Sequence, residues 1–320
     1  MGGKNKRGAH ADTKTVMNKD YIDTVRLLLE AAPAVFHGST FAMKGGTAIN
    51  LFACAMPRLS VDIDAVFINH TLHRGEALSA ISAALQEIGE RLMARGLNVE
   101  LRGGSKGGET KLFVRRREVV KIEVNHVFRG CILPPAGRRL VSYARDLFKT
   151  DMELPTLAVA ELYGSKLVAA MDRQHPRDLF DVHGLYAGDG LAKEVVDCFV
   201  CYLAGHNRPV HEVLFARPLD IAAAFTNEFA GMAREPVALD ELLAVRERLR
   251  AELPVALSPE HRRFLVSLVE ADPDWTAAPC PHLSEMPAIQ WKLQNLRKLR
   301  SSNPRKFADQ SQELKERLGL

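Results

Sequence analysis

Apolar residues in the first half of the chain recur at two different spacings. Between residues 18 and 32 they return every three or four positions, which predicts a helix with Asn18 as its N-cap. The same spacing predicts a long amphipathic helix over residues 73–96. Short runs with apolar residues at every second position predict strands, and strands mixed with helices indicate an α/β domain. These runs lie at residues 61–68, 98–101, 111–116 and 119–127, and residues 36–43 lead into a first strand.

The second half of the chain has helical spacing almost throughout. Residues 156–173 form the clearest helical pattern, and about four amphipathic helices follow before residue 270. Two basic helices divided by Asn303-Pro304 end the chain. The pattern therefore predicts an α/β core followed by an all-α helical domain, with the boundary in a proline-rich stretch near residue 150. The predicted units are a flexible basic N-terminal tail at 1–17, a core at 18–150, a helical domain at 151–285 and basic C-terminal helices at 286–320.

Composition narrows the class of protein. The 320 residues are 47% hydrophobic and 26% charged, which is typical of a globular protein. No stretch reaches 18 apolar residues, so we expect no membrane span, and no apolar region follows the basic N-terminus as it would in a secretory signal. The five cysteines are scattered and odd in number, which favours the reducing cytoplasm. Cys198 and Cys201 share one apolar run without a second cysteine pair, so we expect core residues rather than zinc ligands.

Positive charge is concentrated at the two ends of the chain. Residues 1–19 contain five Lys/Arg and one acid, a net charge of +4. Residues 291–320 contain eight Lys/Arg and three acids, a net charge of +5. Because the whole chain carries only +4, the remainder is acidic, with a net charge of −5. Basic ends on an acidic body indicate contact with a polyanion, although for residues 1–16 a solubilising tail is the simpler interpretation.

The strongest candidate for chemistry is the stretch 44–67. A predicted strand ends in Gly45-Gly46-Thr47, where a glycine turn lets a phosphate approach the backbone and the following helix N-terminus favours its negative charge. The next strand carries Asp62 and Asp64, whose side chains share one face because positions i and i+2 of a strand point the same way. Two adjacent carboxylates repel each other unless a cation lies between them, and Mg²⁺ commonly takes such ligands together with substrate phosphates.

Each of these two motifs has an ordinary explanation when it stands alone. An Asp-x-Asp pair arises by chance in many chains of this length, and Gly-Gly-Thr is a common turn. Their occurrence in this order, with a short apolar helix between them, favours a phosphate-binding turn beside a metal-binding pair.

A third carboxylate is found on the predicted strand 119–127. Glu123 lies inside an apolar run, where an unpaired carboxylate is costly to bury, so it is a candidate third metal ligand beside Asp62 and Asp64. The alternative is a glutamate on an edge strand that faces water. The glycine-rich stretch 103–108 does not have the spacing of a Walker A loop, and we expect a hairpin tip whose Lys106 is able to contact phosphate.

The helix predicted over residues 156–173 carries a candidate phosphate-binding face. Lys166 and Arg173 are seven residues apart and therefore lie on one face, where two cations can receive a polyphosphate. An ordinary solvated basic face is the alternative. In the next helix Asp178 falls in the first turn, where a carboxylate is favourable in any helix. Asp181 lies one turn further on the same side and can pair with Lys166 or with Arg177.

Four motifs in this order resemble the AbiEii/AbiGii-like nucleotidyltransferase toxins of abortive-infection and type IV toxin–antitoxin systems. The motifs are KGGTAINLF, RLSVDID, ELYGSKLVAAMDR and HPRDLFDV, and the resemblance covers roughly residues 18–310. The last motif departs from the family pattern, because no residue separates Arg177 from Asp178. The resemblance implies a DNA polymerase β-like nucleotidyltransferase core joined to a helical domain. It also implies transfer of a nucleotide from an NTP, with two Mg²⁺ ions and release of pyrophosphate.

The resemblance also implies roles for individual residues, and the strand pattern adds Glu123 to them. Asp62 and Asp64 would hold Mg²⁺, with Glu123 as the inferred third ligand. The implied catalytic residues are Asp62, Asp64, Lys166 and Asp181, again with Glu123. The implied nucleotide-binding residues are Gly45, Gly46, Thr47, Ser60, Lys166, Arg173, Arg177 and Asp178.

For some members of the family the acceptor is the 3′ end of tRNA, which blocks aminoacylation and halts translation. The implied partners are therefore an NTP, an RNA such as tRNA, and a cognate antitoxin encoded nearby, all in the cytoplasm. We expect the basic C-terminal helices to contact RNA phosphates. Two other functions fit the same residues. One is nucleotide transfer to a protein or kinase-like phosphoryl transfer, and the other is non-catalytic binding of a nucleotide or RNA.

Overall fold

The computed structural model describes residues 17–103 and 111–320. Within these ranges a seven-stranded mixed sheet carries helices in its connections and is followed by a long helical region. The strands are β1 Phe41–Lys44, β2 Ile63–Phe67, β3 Asn98–Arg102, β4 Lys111–Arg115, β5 Val119–Asn125, β6 Ala136–Arg139 and β7 Glu153–Thr156. The helices of the sheet region are α1 Lys19–Val35, α2 Gly45–Ala48, α3 Arg74–Ala94 and α4 Ser142–Phe148. Those of the helical region are α5 Val159–Asp172, α6 Pro176–Ala187, α7 Lys193–Ala204, α8 Val210–Leu214, α9 Ala222–Ala224, α10 Leu239–Ala256, α11 Pro259–Val269, α12 Pro287–Ser302 and α13 Pro304–Leu318.

The strand order is β3-β4-β5-β2-β1-β7-β6. At the centre, β2 pairs antiparallel with β1 and parallel with β5. Lys44, Asp64, Glu123 and Lys111 are successive partners across β1, β2, β5 and β4, so their side chains form one row on one face of the sheet. The sheet therefore gathers charges that are far apart in the sequence.

The first helices form as their patterns predict. The Asn18 side chain accepts a hydrogen bond from the backbone N–H of Asp20 (2.9 Å), which satisfies one free donor at the start of α1. The stripe predicted over residues 73–96 forms α3, which buries Ile81, Leu85 and Leu92. Met17 is also buried, at 5% exposure, although it lies within the predicted flexible tail. The rest of that tail and the predicted hairpin tip with Lys106 lie outside the described residues.

Three element boundaries differ from the predictions. The helix after the glycines begins at Gly45 and continues as a wider π-helical turn to Ala53, so it ends before Pro57. Strand β2 begins at Ile63, which leaves Asp62 just before it. The sheet continues past residue 150, because β7 pairs in parallel with β1 through Thr156 and Met43. Of the prolines that predicted a boundary, Pro134 and Pro135 precede the edge strand β6, and Pro155 lies within β7.

Beyond β7 the described chain contains helices and turns, with a single isolated bridge between Arg58 and Ala233. The two terminal helices separate at Asn303-Pro304, as predicted, and the Asn303 side chain caps α13. Cys198 and Cys201 are buried core residues of α7. No helix among the described residues is long and apolar enough to cross a membrane.

Candidate active site

A cleft of about 560 Å³ lies between the central strands of the sheet and the helical region. One wall comes from the glycine turn and the ends of β2 and β5, and the other comes from α5, α6 and the loop after α7. Ten of the predicted site residues line this cleft. They are Gly45, Gly46, Ser60, Asp62, Asp64, Glu123, Lys166, Arg173, Arg177 and Asp178.

The glycine turn lies directly against the residues that follow it in the motif. Gly45 has a φ of +74°, and a β-carbon at this position would overlap the Asp64 carboxylate. A β-carbon at Gly46 would lie 2.7 Å from Nη2 of Arg58. Both positions therefore require glycine, and both line the cleft at the start of a helix, where a phosphate is favoured.

Thr47 does not line the cleft, although it was a predicted nucleotide contact. Its side chain is fully buried, and its hydroxyl donates to the backbone carbonyl of Asp62 and lies 3.0 Å from the hydroxyl of Ser60. Thr47 thus ties the glycine turn to the segment that leads into β2. Ser60 lines the cleft, so its hydroxyl, unlike that of Thr47, is within reach of a ligand.

Asp62 and Asp64 face the cleft together, whereas Ile63 between them is fully buried, as the strand pattern predicts. Burial raises the pKa of Asp62, Lys121 opposes that shift, and the negative charge of Asp64 adds to it. An ionised Asp62 beside Asp64 is therefore disfavoured by its surroundings and would be stabilised by a cation between the two carboxylates.

Glu123 lies next to Asp64 in the sheet, but lysines hold both of its oxygens. Oε1 is 2.5 Å from Nζ of Lys111, and Oε2 is 3.0 Å from Nζ of Lys121. Burial opposes ionisation of Glu123, but these hydrogen bonds outweigh it and lower its pKa. In residues 17–103 and 111–320, no three His, Cys, Asp or Glu side chains form a group that could hold a metal ion. The predicted three-carboxylate arrangement does not form, because Glu123 is neutralised by its own lysines.

A pair of carboxylates is still sufficient for magnesium. Mg²⁺ is commonly bound by one or two protein carboxylates, with water and substrate phosphates as the other ligands. Asp62 and Asp64 provide such a pair at the cleft surface, opposite the glycine turn. The residues present therefore fit a magnesium ion that shares its ligands with a bound nucleotide.

A buried charge cluster forms the floor of the cleft. Nζ of Lys166 is 2.7 Å from Oδ1 of Asp178 and 3.0 Å from Oδ2 of Asp181. Arg58 is 2% exposed and donates two hydrogen bonds to Asp181, from Nε (2.8 Å) and Nη2 (2.6 Å). Asn50 donates to Asp181 (3.1 Å) and to the carbonyl of Gly46 (2.9 Å), which links this cluster to the glycine turn.

These pairings hold the cluster in its ionised form. Burial alone would raise the pKa of both aspartates, but Lys166 and Arg173 lower that of Asp178, and Arg58 and Lys166 lower that of Asp181. Burial opposes the charge of Lys166, but Asp178 and Asp181 outweigh it and raise its pKa. Of the two partners that the sequence predicts for Asp181, Lys166 forms the ion pair. Asp181 itself lies beneath the cleft, where it anchors the cations rather than facing a ligand.

Two arginines lie at the mouth of the cleft. Arg173 is anchored by Asp178, which accepts from its Nε (2.6 Å) and Nη2 (3.0 Å), yet its side chain remains 62% exposed. Arg177 lies near enough to Asp62 to lower the pKa of that carboxyl. Both guanidinium groups can therefore neutralise an anionic ligand that enters the cleft.

Sequence reasoning missed several residues of the site. Arg58 is not among the predicted site residues, although an arginine between Pro57 and Leu59 in an apolar segment is a signal of a buried ion pair. Lys121 and Lys44 also line the cleft, where Lys121 pairs with Glu123 and Lys44 lies opposite Asp64 in the sheet. Nothing in the local pattern distinguishes them from ordinary strand lysines.

The chain resembles known proteins over most of its length. Residues 26–295 match the family model described as nucleotidyl transferase AbiEii toxin, type IV TA system. Among solved structures, the fold is similar to that of MenT4, a nucleotidyltransferase toxin from Mycobacterium tuberculosis H37Rv, with a TM-score of 0.58 and 19% sequence identity. That similarity covers 87% of this chain and 95% of the MenT4 chain, and at this identity it shows a shared fold. No curated protein matches the chain.

Proposed function

Since this chain belongs to the AbiEii nucleotidyl transferase toxin family of type IV toxin–antitoxin systems, and is therefore a nucleotidyltransferase, we propose that its acceptor is RNA. Specifically, it transfers a nucleoside monophosphate from an NTP to the 3′ end of a tRNA and releases pyrophosphate. A tRNA modified in this way cannot be aminoacylated, so translation stops in the cytoplasm. The family also supports a cognate antitoxin, which we propose is encoded nearby.

The observation that best supports nucleotidyl transfer is the convergence of three elements on one cleft. The glycine turn provides backbone N–H groups, Asp62 and Asp64 provide a cation site, and α5 and α6 provide three basic side chains. A triphosphate carries several negative charges, and each of these elements is suited to bind or neutralise part of them. The polymerase β-like core that the sequence resemblance implies is consistent with this combination.

Magnesium held by Asp62 and Asp64 would stabilise the attacking and leaving oxygens and lower the pKa of the attacking hydroxyl. The residues of the chain itself position the substrate. The ammonium of Lys166 has three N–H donors, of which Asp178 and Asp181 use two, so the third can reach a phosphate from the floor of the cleft. Arg173 and Arg177 would neutralise the triphosphate from the mouth of the cleft.

The experiment that tests the acceptor is a labelling assay. Purified protein is incubated with total tRNA, Mg²⁺ and each α-³²P NTP in turn, beside a sample containing EDTA. We expect one NTP to give a labelled tRNA band that EDTA abolishes, which would establish both the acceptor class and the nucleotide. A labelled protein band without labelled tRNA would instead indicate protein nucleotidylylation. Label from γ-³²P NTP would indicate a kinase, and the absence of any label with intact RNA binding would indicate a binding protein.

Replacing Gly45 with alanine is expected to lower nucleotidyl transfer by about 10- to 100-fold, because the new β-carbon displaces the Asp64 carboxylate. Gly96→Ala is the matched control, since Gly96 has a similar φ of +78° but no atom within 4 Å of a β-carbon. Both changes carry the backbone cost of a left-handed alanine, about 1 kcal/mol. Transfer rate per folded molecule and melting temperature are measured for both. Equal loss of transfer in the two variants would show that the close contact between Gly45 and the Asp64 carboxylate is not important for the reaction.

A further inference from the structure

Helix α12 contacts the wall of the cleft at its N-terminal end. Nζ of Lys292 donates to the backbone carbonyls of His206 (2.8 Å) and Arg208 (2.7 Å). A β-carbon at Gly205 would lie 3.0 Å from Cβ of Ala288. Gly205 and His206 themselves line the cleft. The N-terminal end of α12 therefore packs against the segment that forms this part of the rim of the cleft.

The exposed side of α12 combines an indole with polar groups. Trp291 is 44% exposed, and Gln294, Asn295 and Lys298 are also exposed. These residues occupy positions i, i+3, i+4 and i+7, so they lie on one face of the helix. The opposite side of α12 packs into the core through Ile289, Leu293 and Leu296. A large aromatic ring left in water beside amides and a cation is suited to stacking on a nucleic acid base.

Positive charge on this part of the chain is not neutralised by neighbouring acids. Residues 286–308 contain six Lys/Arg and no Asp or Glu. Lys292 is buried, and none of the other five forms an ion pair with any acid in the described residues. Exposed arginines elsewhere commonly form such ion pairs, as Arg26 does with Asp23 and Arg263 does with Asp274. The five exposed cations are Arg297, Lys298, Arg300, Arg305 and Lys306.

We propose that this surface, the α12 face, binds the body of the RNA acceptor while the acceptor's end enters the cleft, an inference that rests on the proposed function. The α12 face is defined as the exposed side of α12 with Trp291, Gln294, Asn295 and Lys298, together with its neighbouring cations Arg297 and Arg300 on α12 and Arg305 and Lys306 at the start of α13. Its cations contact phosphates, and Trp291 stacks on an unpaired base. An acidic protein would also be attracted by the charge. The exposed indole, the flanking amides and the position at the rim of the cleft favour RNA.

The charge contribution is tested with a triple variant, Arg297→Gln/Lys298→Gln/Arg300→Gln. Binding of fluorescently labelled total tRNA is measured by anisotropy at several salt concentrations. We expect the affinity to fall by at least about 10-fold at 0.1 M salt, and the slope of log K against log salt to become shallower by about 2 to 3. The KM for the NTP should not change. The control variant Lys19→Gln/Arg117→Gln/Lys149→Gln removes the same charge from exposed positions outside the cleft and α12, and it should bind tRNA as wild type does.

The stacking contribution is tested through Trp291 itself. The chain has two tryptophans, and Trp275 packs against Phe264. In a Trp275→Phe protein the remaining indole is Trp291, and we expect tRNA to quench its fluorescence. Trp291→Ala should weaken tRNA binding by about 5- to 100-fold, and Trp291→Phe should restore much of it.

The outcomes separate this inference from the proposed function. If wild type binds and labels tRNA but the triple variant and Trp291→Ala do so equally well, the α12 face is not the RNA surface and the proposed function stands. If polyglutamate quenches the fluorescence of Trp291 as tRNA does, and displaces bound tRNA completely, the surface is a general polyanion site and the assignment to RNA is wrong. If wild type labels no RNA in the assay above, the proposed acceptor and this inference fail together.

Discussion

The Asp64→Asn protein is expected to transfer nucleotide at least about 10³-fold more slowly than wild type, equivalent to about 4 kcal/mol of transition-state stabilisation. Asp64 faces the cleft beside Asp62 and directly against the glycine turn. Asparagine keeps the size of the side chain but removes the charge that would hold a divalent cation. The rate is measured with the NTP and acceptor that the labelling assay identifies, at saturating concentrations of both.

A matched control removes a carboxylate that has no part in the cleft. Asp146 is exposed on α4, outside the cleft lining, and Asp146→Asn should retain the wild-type rate. Binding of Mn²⁺ in the presence of nucleotide provides a second measurement, and it should weaken in Asp64→Asn alone. A rate within 10-fold of wild type in Asp64→Asn would contradict the assignment of this carboxylate to a metal ion.

Glu123 shows how far sequence reasoning can lead at this site. The alternation along β5 correctly predicts that Glu123 shares a face with Asn125 and lies opposite the apolar residues, and it does line the cleft. What the alternation cannot show is the partner strand. Lys111 reaches Glu123 because β4 pairs with β5 in one particular register, and that register is set by the whole sheet. The prediction of a third metal ligand therefore assumes that the Glu123 carboxylate is unpaired. In the fold, two lysines pair with it.

The glycine turn and the Asp62/Asp64 pair were predictable because each depends on local rules. A glycine with positive φ and a two-residue alternation on a strand are written in consecutive residues. The contact of Arg58 with Asp181 spans 123 positions and depends on how α6 packs beneath the glycine turn. No periodicity marks such a pair, so the floor of the cleft was only partly predicted. For the same reason, the sequence places Lys166 and Asp178 among the nucleotide-binding residues but does not predict the ion pair between them.

Removing the Asp181 carboxylate is expected to have the largest effect on stability. Asp181→Ala should lower the free energy of unfolding by about 3–5 kcal/mol, because it leaves the buried Arg58 without a carboxylate to balance its charge and Lys166 with one partner fewer. The measurement is urea unfolding followed by circular dichroism. Asp189→Ala, an exposed carboxylate just beyond α6, is the control and should change the free energy of unfolding by less than about 0.5 kcal/mol.

The pH dependence of this loss distinguishes an ion pair from simple packing. The folded-state pKa of Asp181 lies below its ordinary value, since Arg58 and Lys166 outweigh the effect of burial. Such a group contributes stability above its unfolded pKa, about 3.9, and the contribution is lost as the pH falls through the folded value. The difference in unfolding free energy between wild type and Asp181→Ala should therefore be full at pH 7 and shrink below about pH 4. A difference that stays constant down to pH 3 would mean that Asp181 contributes through its shape rather than through its charge.

If shape carries the effect, the double variant Arg58→Met/Asp181→Leu, which replaces the pair with apolar groups of similar volume, should be no more stable than Asp181→Ala. If the ion pair carries the effect, the double variant should recover most of the loss, because no buried arginine is then left without its acceptor.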